Sequence, residues 1–263
     1  MHADIGDRKL CYERRGSGEP LLLIMGMAGH MGMWRKDFLD LLDADFDVVV
    51  YDNRGIGDST DVAGQFTIAQ LAEDAVHLLD HLGWASAHVF GISMGGMIAQ
   101  ELVLNHPDRV RRLVLGCTYC GGPRTDPMAP GPMRMMSAMS SGVLEDAIRA
   151  GYEANLSPTW TADDAHWSEF HDIALSERVP TAVVLRQAQA AFAHDTSTRL
   201  PAVATPTLVI AGTVDEMVLY PNNEVIAELI PGATMYPLAD VGHLFWWERP
   251  DECAAAIRGH LLS

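Results

Sequence analysis

The chain has 263 residues, of which 48% are hydrophobic and 20% charged, so it is neither a disordered nor a collagen-like sequence. Its 18 basic and 35 acidic residues give a formal net charge of −17, which argues against nucleic acid or an anionic membrane as a partner. No apolar run approaches the roughly 20 residues of a bilayer span and the first residues lack a signal-peptide pattern, so we expect a cytoplasmic protein.

Strands are predicted from short, continuous apolar runs that are bounded by turn residues. Such runs are typical of strands buried on both faces of a parallel sheet. In chain order they lie at Leu21–Met25, Phe46–Tyr51, His88–Ile92, Leu113–Gly116 and Thr207–Ala211, with a last strand near Met235–Leu238. Residues Leu10–Arg14 are predicted to add an antiparallel edge strand.

Helical patterns lie between these runs. Apolar residues at helical spacing follow Thr67, and Gln70 three positions later completes a capping box. A second helix is predicted directly after Ser93, ending before Pro107, because proline cannot continue a helix. Strands that alternate with helices imply right-handed β-α-β units, and hence an open, doubly wound, mostly parallel sheet.

The strand pattern is interrupted in the middle of the chain. The segment 121–200 opens with glycines and prolines: Gly121, Gly122, Pro123, Pro127, Pro130, Gly131 and Pro132. Amphipathic stretches then follow near Val143–Ala154, Ala162–Leu175 and Thr181–Phe192. We therefore expect residues 1–120 and 201–263 to form one core domain and residues 121–200 to form a helical insertion.

The most specific motif is Gly91-Ile92-Ser93-Met94-Gly95, a G-x-S-x-G sequence between a predicted strand and a predicted helix. The chain must turn sharply at such a serine, and side chains at the two glycines would collide with neighbouring elements. The turn would lift the Ser93 hydroxyl above the sheet. It would also put the Met94 amide at a helix N-terminus, where partial positive charge accumulates.

With this motif the sequence resembles the α/β-hydrolases over nearly its whole length. Tyr51–Ser59, Val209–Asp215 and Gly242-His243 match the family pattern in its chain order, and the insertion resembles the family's helical cap. The resemblance implies an α/β-hydrolase fold with the cap inserted after the sixth strand. Among the subfamilies, the chain looks most like enol-lactonases and small-molecule methylesterases.

Serine is a weak nucleophile at neutral pH, so a base must accept its proton and a carboxylate must orient that base. Asp215 follows the predicted strand Thr207–Ala211, and His243 lies between the last predicted strand and a final helix from about Pro250. In the family's order of serine, acid and histidine, these two residues complete a triad with Ser93. Asp215 could instead cap a turn, and Glu216 is adjacent.

An oxyanion hole needs two backbone amides that point to where negative charge develops. One is the Met94 amide, and the resemblance implies that the other is the amide of Met27. Many relatives have His-Gly where this chain has Met25-Gly26. The backbone donors remain, so this departure concerns the shape of the loop more than the chemistry.

Substrate choice is expected to depend on the cap and on the loop after the first parallel strand. The candidates for the substrate pocket are His30, Trp34, Met133, Met136, Trp160 and Arg186. Each residue taken alone is more often part of a core or of a solvated surface. We predict no metal and no cofactor, because no ligand cluster has metal spacing and no glycine-rich phosphate loop follows a strand.

These residues predict a serine hydrolase that cleaves a small-molecule ester or lactone through an acyl-enzyme. The serine nucleophile argues against two groups within the family that the sequence resembles, the haloalkane dehalogenases and the epoxide hydrolases. Their chemistry needs an aspartate nucleophile, which forms an alkyl ester. Two alternatives remain open: hydrolysis or lysis of a carbon–carbon bond with the same triad, and a non-catalytic ligand-binding protein. The sequence does not indicate an oligomeric state.

Overall fold

Eight strands form one sheet in this computed structural model, which describes residues 1–61, 63–126 and 128–263. The strands are β1 (His2–Asp4), β2 (Lys9–Gly16), β3 (Glu19–Ile24), β4 (Phe46–Tyr51), β5 (Ala87–Ile92), β6 (Val110–Gly116), β7 (Thr207–Gly212) and β8 (Thr234–Leu238). Their order across the sheet is β1-β2-β4-β3-β5-β6-β7-β8. All pairs from β4 to β8 are parallel, while β1 and β2 are antiparallel to their neighbours.

This arrangement confirms the predicted doubly wound, mostly parallel sheet. The antiparallel pairing of the second strand is also confirmed, since β2 pairs with β4 from Tyr12 to Gly16. The sheet does not end at this strand as predicted, because β1 is the outermost strand and pairs with the first residues of β2, Lys9–Cys11. A three-residue strand is too short to produce a periodic pattern, which is why the sequence did not reveal β1.

Helices cover both faces of the sheet. In the described residues they are α1 (Lys36–Leu42), α2 (Ile68–His81), α3 (Met94–Asn105), α4 (Pro130–Met139), α5 (Leu144–Asn155), α6 (Pro158–Thr161), α7 (Ala165–Leu175), α8 (Thr181–Phe192), α9 (Tyr220–Leu229), α10 (Phe245–Glu248) and α11 (Pro250–Leu261). The predicted capping box of α2 is confirmed. The Thr67 hydroxyl accepts from the Gln70 amide at 3.2 Å, and the Gln70 side chain accepts from the Thr67 amide at 3.0 Å.

The segment between β6 and β7 contains five helices, α4 to α8, and no strand among its described residues. This confirms the helical insertion after the sixth strand. Pro127, one of the prolines that open the segment, lies outside the described residues. The division of the chain at residues 121 and 200 stays a prediction.

Two apolar layers lie on opposite faces of the sheet. One contains the buried sides of α2 and α3, and the other contains α1, α11 and an aromatic group below the C-terminal loop. In that group Trp34 lies 4.8 Å from Trp246 and 5.0 Å from Phe90 between ring centroids. Rings packed in this way fix the position of the chain that leads into the site.

The four cysteines of the chain form no disulfide. Cys11, Cys117, Cys120 and Cys253 are all free and buried, as expected for cysteines without a disulfide framework. Within the described residues, no helix is both long enough and apolar enough to cross a bilayer.

Candidate active site

Ser93 occupies a strained turn between β5 and α3. Its backbone angles are φ 56° and ψ −123°, a conformation that residues other than glycine rarely adopt. A Cβ on Gly91 would lie 2.2 Å from the Gly95 carbonyl oxygen, and one on Gly95 would lie 2.0 Å from the Ile24 carbonyl oxygen. Both glycines of the motif are therefore required by backbone contacts, as the sequence predicted.

Asp215 and His243 form a buried pair at the same end of the sheet. Nδ1 of His243 lies 2.7 Å from Oδ2 of Asp215. The other Asp215 oxygen accepts from the amides of Met217 and Val218 at 2.7 and 2.9 Å, which fixes the carboxylate. Because an ionised carboxylate only accepts, Nδ1 of His243 carries the proton and Nε2 is left as a base.

Ser93 lies next to this pair across β6. Its amide donates to the Gly116 carbonyl at 2.9 Å, and the next residue, Cys117, has its sulfur within 4.8 Å of the ligand atoms of Asp215 and His243. The side-chain hydrogen bond from Ser93 to His243 is not formed among the described residues. Such bonds are often long in free enzymes and tighten only with substrate. The structure thus joins two of the three predicted triad residues and puts the third at the same edge of the sheet.

Cys117 is a residue of this site that the sequence analysis did not identify. It has a positive φ of 40° and is fully buried. Burial first, and then the negative charge of Asp215, raise the pKa of its thiol well above the usual range. The raised pKa favours the neutral thiol, which is a poor nucleophile. In the sequence, the one signal for Cys117 as a site residue is its position directly after a strand that ends at this edge of the sheet.

The two candidate oxyanion donors, the amides of Met27 and Met94, are each next in the chain to a residue at the nucleophile: Met94 follows Ser93, and Met27 follows Gly26, which lies against Ser93. Met94 is the first residue of α3, and Met27 lies in the turn Gly26–Gly29, which the Gly29 amide closes by donating to the Gly26 carbonyl at 3.3 Å. Neither the Met27 nor the Met94 amide donates to any residue in the described part of the chain. These are the two donors that the sequence analysis named.

The loop that carries His243 is attached to the helical insertion α4–α8, which is called the cap below. The Glu248 carboxylate accepts from the Gly242 amide at 2.9 Å, and from the Ser157 amide at 2.9 Å and hydroxyl at 2.5 Å. On the other side of His243, the Leu244 amide donates to the Asn155 carbonyl at 2.9 Å. Hydrogen bonds to a carboxylate are stronger than neutral ones, so Glu248 holds the histidine loop firmly. The sequence analysis did not identify Glu248.

His30 is buried at the junction of the loop and the cap. Its Nδ1 accepts from the Gly32 amide at 3.2 Å, and its Nε2 lies 2.9 Å from the Ile173 carbonyl, which only a protonated nitrogen satisfies. Burial lowers the pKa of this imidazole, consistent with a neutral ring. Both nitrogens are used, so His30 connects the loop to α7.

Two other pocket candidates make extensive packing contacts. Trp34 is fully buried in the aromatic group described above, the packing of a core side chain. Arg186 forms an ion pair with Asp61 at 2.6 Å and lies over the Phe66 ring at 5.8 Å, which ties α8 to the loop after β4.

The other three candidates lie on the cap itself. Met133 and Met136 are 61% and 69% exposed on α4, so their side chains face solvent in this structure. Trp160 is half-buried and stacks on His166 with ring centroids 3.7 Å apart. A substrate-binding role for these residues stays a prediction.

The charged residues after β4 hold their loop together. Arg54 forms a buried ion pair with Asp74 at 2.7 Å, and Asp52 accepts from the Met31 amide at 2.7 Å. The second Asp52 oxygen is buried and has no partner within the described residues. Burial raises the pKa of Asp52 to about 6, and the nearby carboxylate of Glu177 adds to the effect.

Comparison with known proteins shows which family the chain resembles. A family model for the alpha/beta hydrolase fold matches residues 19–250. The chain is 32% identical over 253 residues to a protein of Azorhizobium caulinodans named as a carbamate hydrolase, RutD, covering 95% of this chain and 94% of that protein.

Two solved structures are similar along the whole chain. The enol-lactonase from Burkholderia xenovorans LB400 has a TM-score of 0.87 at 25% identity, with 100% of both chains covered. Est816, described as an N-acyl homoserine lactone degrading enzyme, has a TM-score of 0.80 at 28% identity and covers 98% of this chain and 99% of its own.

Proposed function

The chain belongs to the α/β-hydrolase family, and on this premise we propose that it is a serine hydrolase that cleaves a small-molecule carboxylic ester or lactone through an acyl-enzyme. One observation carries the proposal. Asp215 orients His243 through a buried 2.7 Å hydrogen bond, at the sheet edge where Ser93 is held in a strained turn. A binding protein has no need of this combination of a fixed base and a half-buried serine held in a strained turn.

The reaction begins with transfer of the Ser93 proton to Nε2 of His243 while the serine oxygen attacks the substrate carbonyl carbon. Asp215 does not take up the proton. It holds the ring in the tautomer with Nδ1 protonated and stabilises the imidazolium that forms. The negative charge passes to the carbonyl oxygen, which the amides of Met27 and Met94 are free to bind.

The tetrahedral intermediate collapses when His243 gives its proton to the leaving alkoxide, which leaves an ester on Ser93. Water then attacks this ester, with His243 as base, and the acid product departs as Ser93 regains its proton. In a lactone the leaving alkoxide is part of the same molecule, so the product of that substrate is a single hydroxy acid.

The names of the relatives support this class of substrate. One similar structure is named an enol-lactonase, another is described as an N-acyl homoserine lactone degrading enzyme, and one relative is named a carbamate hydrolase. All three name an acyl group bonded to oxygen or nitrogen. We propose an ester or lactone as the substrate of this chain because its carbonyl carbon can be attacked by Ser93 while its carbonyl oxygen binds to the two amides.

The proposal is tested with p-nitrophenyl acetate, butyrate and octanoate, and with γ-butyrolactone, as substrates of the wild type and Ser93→Ala. We expect wild-type turnover that Ser93→Ala lowers by at least a thousandfold, with unchanged thermal unfolding. A fluorophosphonate probe should label the wild type at Ser93 and leave the variant unlabelled. Ester turnover that survives in Ser93→Ala would exclude this mechanism, and labelling without turnover of any ester or lactone would favour a carbon–carbon substrate.

A further inference from the structure

The turn that carries the Met27 amide also contacts the cap. The Ala28 amide donates to Oε1 of Gln187 at 2.9 Å, and Gln187 lies on α8. Thus a cap side chain bonds to the residue directly after one of the two oxyanion donors. Because the partners are 159 positions apart in the chain, only docking of the cap on the core brings them together.

The geometry of the turn explains why this contact matters. Gly26–Gly29 is a hydrogen-bonded turn in which Ala28, the third residue, has a φ of 59°, while Met27 is not among the residues with positive φ. These features define a type II turn, whose third position favours glycine. Alanine there is strained, since its Cβ approaches the following carbonyl.

Turns of type I and type II differ mainly in the direction of their central peptide, which here joins Met27 to Ala28. The bond from the Ala28 amide to Gln187 holds this peptide in the type II direction. Without the bond, the strain at Ala28 would favour the flip, and the peptide next to the oxyanion donor would turn over. The Met27 N–H belongs to the preceding peptide, Gly26–Met27, so the flip would not reverse it. The change of ψ at Met27 would instead alter the shape of the turn, and the position of the Met27 amide would be held less firmly.

Gln187 itself is an unusual side chain for its position. It is fully buried on a helix face that it shares with Val183, Ala190 and Ala191. Its Nε2 is buried and has no partner within the described residues. An unpaired buried amide group is costly. An apolar side chain would avoid that cost, so the bond to Ala28 is the interaction that accounts for glutamine here.

We propose that Gln187 is a positioning residue that fixes the oxyanion turn Gly26–Gly29 from the cap, so that the oxyanion hole is complete only when the cap is docked. This inference rests on the proposed function. The oxyanion interaction forms mainly in the transition state, so its disturbance should lower kcat and leave KM nearly unchanged.

The test compares wild type, Gln187→Met, Gln187→Met combined with Ala28→Gly, and the control Gln189→Met, with p-nitrophenyl butyrate as substrate. Gln189 is exposed on the same helix. We expect Gln187→Met to lower kcat about tenfold with KM within about twofold, and Gln189→Met to behave as wild type. Glycine removes the strain at position 28, so Ala28→Gly should restore at least a third of the lost kcat.

A purely structural role of Gln187 in the cap would not be rescued by Ala28→Gly. An unchanged kcat in Gln187→Met, or an equal loss with and without Ala28→Gly, would overturn the proposal. Gln187→Leu replaces Gln187→Met if the latter does not fold.

A second measurement separates this inference from the proposed function. Hydrogen exchange of the Ala28 amide, followed by NMR, should be faster in Gln187→Met than in wild type, because its acceptor is gone. If the wild type cleaves no ester, the proposed function fails while this readout still tests the contact. An Ala28 amide that exchanges equally slowly in both proteins would overturn the positioning role.

Discussion

Gly26 lies directly against Ser93: a Cβ on Gly26 would be 2.9 Å from the serine Cβ and 3.5 Å from its hydroxyl oxygen. The glycine therefore leaves the space beside the nucleophile in which a tetrahedral intermediate must form. It also starts the turn that supplies the Met27 amide. The shape of the reaction space depends on this residue as much as on the serine.

Gly26→Ala should for this reason lower kcat/KM for p-nitrophenyl butyrate by at least a hundredfold. The added methyl would press on Ser93 and shift the oxyanion turn, and a displacement of about 1 Å can cost that much. Gly64→Ala is a useful control for general effects of replacing a loop glycine, since a Cβ there meets nothing within 4 Å, although its φ of 93° makes some strain. Activity within threefold of wild type in Gly26→Ala would contradict this account of the reaction space.

Asp215→Asn should lower kcat by about a thousandfold or more while the protein remains folded. An asparagine amide would donate to Nδ1 of His243 or leave it unpaired, and the tautomer with a basic Nε2 would no longer be favoured. Glu216→Gln is the matched control, because Glu216 pairs with exposed Arg134 instead. The measurement is kcat with p-nitrophenyl butyrate. Equal activity of the two variants would show that the acid is not Asp215.

Much of the core and the nucleophile turn could be predicted from the sequence, because local patterns determine them. Buried parallel strands produce continuous apolar runs, and the elbow needs two glycines at fixed spacing around Ser93. Asp215 and His243 were predicted as acid and base from their positions after two predicted strands, in the chain order of the family that the sequence resembles. Each of these features leaves its signal within a few neighbouring residues.

The contacts between cap and core could not be predicted in this way. Gln187 and Glu248 bond to residues 159 and 91 positions away, and neither residue lies in a local pattern that marks a site. Trp34 is similar: its position in a core aromatic group depends on Phe90 and Trp246, which are distant in the chain. Such interactions depend on how the cap and the loops pack on the core. The spacing of residues along the sequence does not predict that packing.

Asp52→Asn should stabilise the protein at pH 7 and have little effect near pH 4. Burial raises the pKa of Asp52 in the folded protein to about 6, above an unfolded value of about 3.9. Between these values the folded state binds more protons than the unfolded state, so this residue lowers the stability as the pH rises through that range. The shift corresponds to at most about 3 kcal/mol.

Urea unfolding of wild type and Asp52→Asn between pH 4 and pH 8 measures this effect. The difference in unfolding free energy should grow from pH 4 to about pH 6 and then level off. Asn retains an oxygen that can accept from the Met31 amide, so the loop contact is preserved. Asp108→Asn, at an exposed position away from this loop, controls for the loss of one negative charge. A difference that is constant with pH would show that Asp52 does not titrate in this range.

Glu248→Ala should both destabilise the protein and lower its activity. The change removes the acceptor of the Gly242 amide and of both Ser157 donors, all buried, which should cost about 2–4 kcal/mol in unfolding free energy. It also releases the loop of His243 from the cap, so kcat should fall at temperatures where the variant is still folded.

Glu248→Gln keeps an oxygen for the two amides and an amide that donates to the Ser157 hydroxyl, so it should recover most of both losses. Glu224→Ala, at an exposed position of α9, is the control for removing a glutamate. Urea unfolding and kcat at 25 °C test this prediction, and a Glu248→Ala variant that is destabilised but fully active when folded would show that the carboxylate supports the fold without positioning His243.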